Sequence, residues 1–311
     1  MEIYLPIAGI SINFFLIIGI GGLVGFLSGL FGVGGGFLLT PLMMMIGIPP
    51  AVAAASDSNQ IVAAASSGAF AHWRLGNVDF KMGLVILAGG LTGGTIGVQL
   101  VKILRAIGNF EFVMKVVYVI MLGLVGGAMF MESLRTIRRS RNPETCVLAP
   151  PEPKLAKLFA KLPLKMHFTR SGLHTSAIFP FSIGTTVGIM AALLGVGGGF
   201  IMVPAMIYVI GMPTIVAIGT DLFQIVLTSA NVTLQQAIVN KTVDLLLALI
   251  LLAGSTIGAQ FGALAGKRLR GEQIRILLAI IVLILAAKLF LDLILTPEDL
   301  VSLAPAKGGG H

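Results

Sequence analysis

The chain has 311 residues, 56% of them hydrophobic and only 11% charged, with a formal net charge of +8. Soluble domains carry about 25% charged residues. This balance, with a mean hydropathy of +1.00, excludes a soluble α/β enzyme and places the chain in a bilayer, and a lone cysteine, Cys146, excludes an internal disulfide or a cysteine metal cluster.

In chain order, the first apolar segment covers 7–31. It lacks the basic flank and small-residue cleavage site of a secretory signal and is read as a first membrane helix. Gly21, Gly25 and Gly29 stand four apart, which suits close packing against another helix. Then comes Gly-Val-Gly-Gly-Gly-Phe at 32–37, with Pro41 after it, and a short segment over 37–49. Thirteen residues rise only ~20 Å, against a hydrocarbon core of ~30 Å, so this segment is expected to enter part of the membrane or to continue a broken helix. The third segment, 51–73, carries the polar run Ser56, Asp57, Ser58, Asn59, Gln60, then Ser66 and Ser67, and ends at His72, Trp73 and Arg74, residues suited to anchoring at the interface. Segments at 82–104 and 110–131 complete the first unit, the last with Glu111 and Lys115 at pairing distance along a helix.

A basic stretch follows, with Arg135, Arg138, Arg139, Arg141, Lys154, Lys157, Lys161, Lys165 and Arg170. Basic residues beside membrane spans stay inside, so a cytoplasmic linker over 135–175 is expected. Within it, 154–168 spaces Leu155, Leu158, Phe159 and Leu162 opposite lysines, the pattern of an interfacial helix on anionic lipid headgroups. The second unit runs through segments at 176–195, 199–212, 214–238, 243–266 and 272–295, before a tail at 297–311 ending in Gly-Gly-Gly-His.

The second unit repeats the first. Gly-Val-Gly-Gly-Gly-Phe returns at 195–200, and Pro41 returns as Pro204, an offset of 163 in both cases (195 − 32, 204 − 41). Asp57, Gln60 and Ile61 return as Asp221, Gln224 and Ile225; Gly-Thr-Ile-Gly-Val-Gln at 94–99 resembles Ser-Thr-Ile-Gly-Ala-Gln at 255–260. Duplicated blocks in one order mark an internal repeat, giving membrane repeats over 1–134 and 176–296. Five crossings in each would invert one repeat relative to the other. The basic residues favour this topology: with the linker inside, Arg74, Lys81, Lys267, Arg268 and Arg270 also fall inside and Lys102, Arg105 and Lys241 outside.

Glycine in a helix costs roughly 1 kcal/mol against alanine, so two Gly-rich runs in equivalent settings need a reason. Backbone that leaves the helix within a membrane must be buried in protein or line a watery cavity. A half-helix starting after such a break offers free N–H groups and the positive end of its dipole to an anion. Two such breaks aimed at one midplane point are a transporter arrangement. On this reading the runs holding Gly32, Gly34, Gly35, Gly36, Gly195, Gly197, Gly198 and Gly199 form an anion site, against the alternative that they only let helices pack closely. Ser56, Ser58, Asn59, Gln60, Thr220 and Gln224 add hydrogen-bond donors without a buried charge. Asp57 and Asp221 have two readings: ion-coupling carboxyls of a pump or transporter, or helix caps and ties between segments. Ser66, Ser67, Thr228, Ser229 and Asn231 line the path or bond neighbouring helices, and Thr95, Gln99, Thr256 and Gln260 are expected on a shared internal face.

The run Ser-Gly-Leu-Phe-Gly-Val-Gly-Gly-Gly-Phe-Leu-Leu-Thr-Pro, the Gly-x-Pro turn after it, and their second-half counterparts resemble the sulfite exporter TauE/SafE family, also called the 4-toluene sulfonate uptake permease family. The likeness spans about Gly19 to Leu134 and Ile183 to Leu295; Ala191 stands where the first half has Ser28. The resemblance implies an integral carrier of sulfur-containing anions (sulfite, sulfonates, thiosulfate), with the matching glycines lining the path. The expected fold is thus an all-α polytopic membrane protein of two inverted repeats with broken helices. The expected function is secondary transport of such an anion by alternating access in a bacterial inner membrane, with a proton or sodium ion as coupling partner. A passive anion channel is the rival. A membrane enzyme ranks last, since no nucleophile or metal constellation stands out, and neither cofactor nor metal nor nucleic acid is expected.

Overall fold

The computed structural model describes residues 2–31, 36–140, 164–168, 170–266 and 271–294. Two short antiparallel hairpins accompany ten helices among the described residues. The first half has β1 (Glu2–Leu5), β2 (Ile10–Asn13), α1 (Phe14–Phe31), α2 (Gly36–Met45), α3 (Pro50–Arg74), α4 (Phe80–Ile107) and α5 (Phe110–Ser140). The second has β3 (Lys165–Phe168), β4 (Leu173–Ser176), α6 (Ile178–Leu194), α7 (Gly199–Pro204, continuing as a π-helix over Ala205–Ile210), α8 (Thr214–Gln235, continuing as a π-helix over Gln236–Asn240), α9 (Leu245–Gly266) and α10 (Gly271–Ile294). The chain is an all-α polytopic membrane protein: five of its described helices are long and apolar enough to span a bilayer.

The segmentation of the sequence reappears with three corrections at the ends of segments, the first being that α5 runs on to Ser140, past its expected end at 131 and into the expected 135–175 linker. Residues 7–13 belong to a hairpin and not to the first helix, and Lys165–Phe168 is a strand and not the end of an interfacial helix. The rest of that expected helix, 154–163, lies outside the described residues. Both strands of each hairpin obey the 163 offset (165 − 2, 173 − 10), and Glu2↔Asn13 is matched by Lys165↔Ser176 in register. The repeat therefore includes both hairpins. Alternation within four-residue strands is too short to register against long apolar runs.

Each short second helix ends in the same way. Gly47 and Gly211 take left-handed backbone, φ 90° and 89°, and the following Pro49 and Pro213 end the turn ahead of α3 and α8. Proline cannot donate a backbone hydrogen bond. Pro41 sits inside α2, whereas the equivalent Pro204 marks the change of α7 to π-helical winding.

The two halves interlock. α1 packs on α9 of the other half, α6 packs on α4, α3 on α8 and α5 on α10, so these pairings all cross between halves; exchange of the two turns α1–α9 into α6–α4 and maps α3–α8 and α5–α10 each onto itself. Small residues make the first two pairings close, as expected where packing replaces the hydrophobic effect. A β-carbon on Gly254 would lie 2.5 Å from the Ile18 carbonyl oxygen, and one on Gly188 would lie 2.5 Å from that of Gly90. These contacts relate α4 to α9 by an offset of 165: Gly21 meets Leu251 where Gly184 meets Ile86, and Gly25 meets Ser255 where Gly188 meets Gly90. The likeness of 94–99 to 255–260, an offset of 161, is one helical turn out of register with the packing. Gly89, Gly93 and Gly97 recur every four residues, as do Gly254, Gly258 and Gly262, so a four-residue slip still lays glycine on glycine. Thr95, Gln99, Thr256 and Gln260 are exposed, which corrects their expected internal placement.

Two aspartates fasten the hairpins. Asp79 caps α4, its Oδ1 accepting from the Met82 amide at 3.2 Å, while its Oδ2 accepts from the Ser171 amide at 3.0 Å and from the Ser171 hydroxyl. Asp244 does the same at α9: Oδ1 accepts from the Leu247 amide at 3.2 Å and Oδ2 from the Ile7 amide at 3.1 Å. Each half's hairpin is thus held by the other half. The β3–β4 hairpin lies where α4 begins. At the far end of α4, Arg105 donates to the Asn240 carbonyl at 2.9 Å, close in sequence to Asp244 and its hairpin. The two hairpins therefore occupy opposite ends of the bundle.

Candidate functional site

The second Gly-rich run is a true break. α6 stops at Leu194, Gly195, Gly197 and Gly198 take left-handed backbone (φ 75°, 69° and 87°), and α7 opens at Gly199. Only glycine adopts this conformation without steric cost. A β-carbon at Gly195 would also collide with the backbone of Ala54 on α3. The carbonyl of Leu194, left over at the helix end, accepts from the buried Tyr118 hydroxyl of α5. Such end groups need partners in a low-dielectric interior. Of the first run, Gly36 opens α2 and is buried, while Gly32, Gly34 and Gly35 lie outside the described residues.

Immediately after each run stands a phenylalanine, and the two meet. Phe37 and Phe200, 163 positions apart, stack with ring centroids 4.1 Å apart and planes 8° from parallel. Both are almost wholly buried. A residue touching its own repeat equivalent lies on the axis that exchanges the halves, so this stack marks the centre of the molecule.

The polar residues of α3 and α8 surround that centre. Ser56, Asp57, Ser58 and Gln60 are buried, as are Thr220, Asp221 and Gln224; Asn59 is half-buried. Thr40 of α2 donates to Asp57 Oδ2 at 2.7 Å. Gln60 donates to the Ser255 hydroxyl of α9 at 2.7 Å. Gln224 donates to Asp221 Oδ1 at 2.9 Å and accepts from Thr228 at 3.0 Å. Asp221 also faces the start of α7, where a β-carbon on Gly199 would lie 2.8 Å from its Oδ2.

Two of the sequence-derived residues are engaged elsewhere in the fold. Ser58 donates to the Ala54 and Gly195 carbonyls, at 3.1 and 3.4 Å, which ties α3 to the break. Thr220 accepts from the Asp79 amide at 3.0 Å, turned toward the hairpin clasp. Buried polar atoms without a partner stand on both helices: Ser56 Oγ, Asp57 Oδ1 and Gln60 Oε1 on α3, and Ser229 Oγ, Asn231 Nδ2 and Thr233 Oγ1 on α8. An unpaired buried polar atom costs on the order of 1–3 kcal/mol, and each helix carries three within two turns. The halves differ here, since Val203 stands where the first half has Thr40 (40 + 163). Among the described residues, no group of three or more His, Cys, Asp or Glu side chains is placed to hold a metal ion.

The family model of the sulfite exporter TauE/SafE matches residues 17–289. This chain is a TauE/SafE protein. The matched span takes in both hydrophobic halves and the loop between them, and membership makes it an integral membrane transporter. Similar proteins include the "Probable membrane transporter protein YunE" of Bacillus subtilis (strain 168), 24% identical over 90% of this chain and 98% of the relative. YjnA of the same organism, a "Probable membrane transporter protein", is 27% identical over 86% and 95%, and a "Probable membrane transporter protein" of Xylella fastidiosa (strain Temecula1 / ATCC 700964) is 26% identical over 82% and 86%. No solved structure matches.

Sequence reasoning passed over several residues that organise this TauE/SafE protein: the Phe37–Phe200 pair, Thr40, Tyr118, and the clasps Asp79 and Asp244. The phenylalanines and Thr40 lay inside quoted motifs, overshadowed by the glycines. The clasps had a legible signal, Val-Asp followed by an apolar residue at the head of the fourth segment in both halves (78–80 and 243–245).

Proposed function

We propose that this protein is a secondary transporter of a small sulfur-containing anion of the sulfite, sulfonate or thiosulfate type, working by alternating access between two inverted halves. The observation that carries the reading is the group of unbonded buried atoms on the helix that packs against the break, Ser56 Oγ, Asp57 Oδ1 and Gln60 Oε1. The Ser56 hydroxyl can donate to an anion, whereas the Asp57 and Gln60 oxygens are acceptors that suit a coupling proton or sodium ion. The anion is held by backbone N–H groups of the two breaks with hydroxyl and amide donors of α3 and α8, in a bacterial inner membrane with the 135–175 loop cytoplasmic. Opening toward either side separates Phe37 from Phe200. Asp57, with one carboxyl oxygen on Thr40 and the other unbonded, is the coupling group for a proton or sodium ion.

The test is uptake of labelled sulfite, thiosulfate, sulfoacetate, taurine and sulfate into proteoliposomes holding the purified protein. At least one of the first four should enter with saturable kinetics and show counterflow, in which unlabelled substrate inside speeds entry of label. Flux that rises linearly with concentration and shows no counterflow would identify a channel and reject the carrier.

A further inference from the structure

A cavity lies away from the centre, at the end of the bundle where α3 finishes and α4 begins. Its volume is about 270 Å³, and Trp73, Gly76, Phe80, Lys81 and Arg170 line it beside the clasp residue Asp79. A cavity of this size is ample for a phosphate with its glycerol. The Arg170 guanidinium lies over the turn at Gly76, 3.7 Å from the place of a β-carbon there. Lys81 projects from the first turn of α4 and is exposed. Asp79 also lines the cavity but makes no ion pair with either cation; its oxygens accept from the neutral donors of Met82 and Ser171. Among the described residues no ion pair joins Arg170 or Lys81 to a carboxylate; the one pair found is Glu111 with Lys115.

Around the cavity the surface is apolar and outward-facing. Trp73 is 58% exposed, Phe70 55%, Leu75 71% and Phe80 44%, and Arg74 sits over the Phe70 ring at 5.9 Å. Exposed aromatic and leucine side chains beside cations mark the headgroup level of a membrane.

The internal repeat supplies a control. At the opposite end the scaffold of this cavity is reproduced, with Asp244 for Asp79 (79 + 165) and a left-handed Lys241 for the left-handed Gly76 (76 + 165). The lining is not reproduced: Trp73 corresponds to Ala237, Lys81 to Leu246 and Arg170 to Ile7 (offsets 164, 165 and 163). The clasp builds the same turn without an aromatic and two cations. Trp73, Lys81 and Arg170 are therefore not demanded by the fold.

We infer that this pocket binds the phosphate of an anionic phospholipid, with Arg170 and Lys81 on the phosphate oxygens and Trp73 and Phe80 beside the upper acyl chains. A free tetrahedral oxyanion shares the phosphate's chemistry, but the exposed apolar rim suits only a ligand with hydrocarbon attached. Arginine matches the paired oxygens of a phosphate, and lysine adds a point charge. A ligand seated here touches both the α3–α4 turn and the β3–β4 hairpin, which Asp79 joins.

The experiment measures thermal unfolding of the full-length protein in detergent, with phosphatidylglycerol, phosphatidylcholine, inorganic phosphate or sulfite added. Binding to the folded state alone raises apparent stability by mass action. Phosphatidylglycerol should raise the wild-type midpoint by several degrees and phosphatidylcholine and inorganic phosphate should not; R170A/K81A should lose most of the shift, and K115A at the opposite rim should keep it. An equal shift in R170A/K81A, or an equal response to phosphatidylcholine, would overturn the proposal. A shift at this site from inorganic phosphate or sulfite alone would overturn the lipid in favour of a soluble anion. Should the double variant fail to assemble, a photoreactive phosphatidylglycerol on wild-type protein decides the matter. Labelling within 73–81 and 165–176 supports the site, and labelling confined elsewhere refutes it.

Discussion

At the scale of single residues, the duplicated aspartates show how one motif acquires two environments. Asp57 and Asp221 are both buried, yet Asp57 takes a hydroxyl from another helix and leaves an oxygen unbonded, while Asp221 takes an amide from its own helix one turn away. The partner of Asp57 is Thr40, and its counterpart Val203 cannot donate. A carboxyl inside a membrane segment without a paired cation is a functional position by default, and the unbonded oxygen singles out Asp57. In the Asp57→Asn variant the Thr40 hydroxyl keeps an oxygen acceptor, so the helices stay assembled. Accumulation driven by an ion gradient should fall by about tenfold or more, within the usual range of coupling between sites, while substrate exchange between the two sides persists. Gradient-driven accumulation at the wild-type level in Asp57→Asn would remove that residue from coupling.

Elements carry the next lesson, because the hairpins and their clasps are the parts that local sequence patterns conceal. Asp79 and Asp244 each cap a helix with one oxygen and hold the partner half's hairpin with the other. Loss of an N-cap costs about 1 kcal/mol, and loss of hydrogen bonds to a buried carboxylate about 1.5–3 kcal/mol more. Asp79→Ala should therefore speed amide hydrogen exchange in 165–176 and leave 2–13 unchanged. Asp244→Ala should do the reverse. Faster exchange of both hairpins in either variant would show that the clasps do not act separately. The breaks behaved differently: Gly-Val-Gly-Gly-Gly was readable as an interruption because adjacent glycines weaken a helix far more than the four-spaced glycines of a packing face, and the second copy indeed leaves the helix. The fourth helices were read one turn out of register, since glycines spaced by four make successive turns look alike.

For the whole molecule, the interlocked pairing of halves has a consequence for topology. The β1–β2 and β3–β4 hairpins lie at opposite ends of α4, so a membrane normal along that helix puts them on opposite sides. The basic linker ends at the second hairpin, by Arg74, Lys81 and Arg170, and we propose that this side is cytoplasmic, following the positive-inside tendency. Cys146, the chain's one cysteine, lies in that linker and reports its side directly. In intact cells a membrane-impermeant maleimide should leave Cys146 unlabelled and a permeant one should label it. With Cys146→Ser and Tyr4→Cys combined, the impermeant reagent should label. The opposite pattern would invert the assigned topology.

Composition and duplicated motifs by themselves determined the membrane class, the internal repeat, the helix-breaking glycines and the polar residues of the third and eighth helices. These follow from local rules: apolar length, backbone freedom at glycine and the rarity of charge in lipid. Only the tertiary structure decided that Phe37 meets Phe200, that Ser58 and Thr220 serve the scaffold while Ser56 and Gln60 keep free atoms, and that each half's hairpin belongs to the other half's aspartate. Each of those facts is a meeting of residues more than a hundred positions apart or a choice among chemically similar neighbours. Such outcomes are set by which helix faces come together, and the order of residues along a single helix does not contain them.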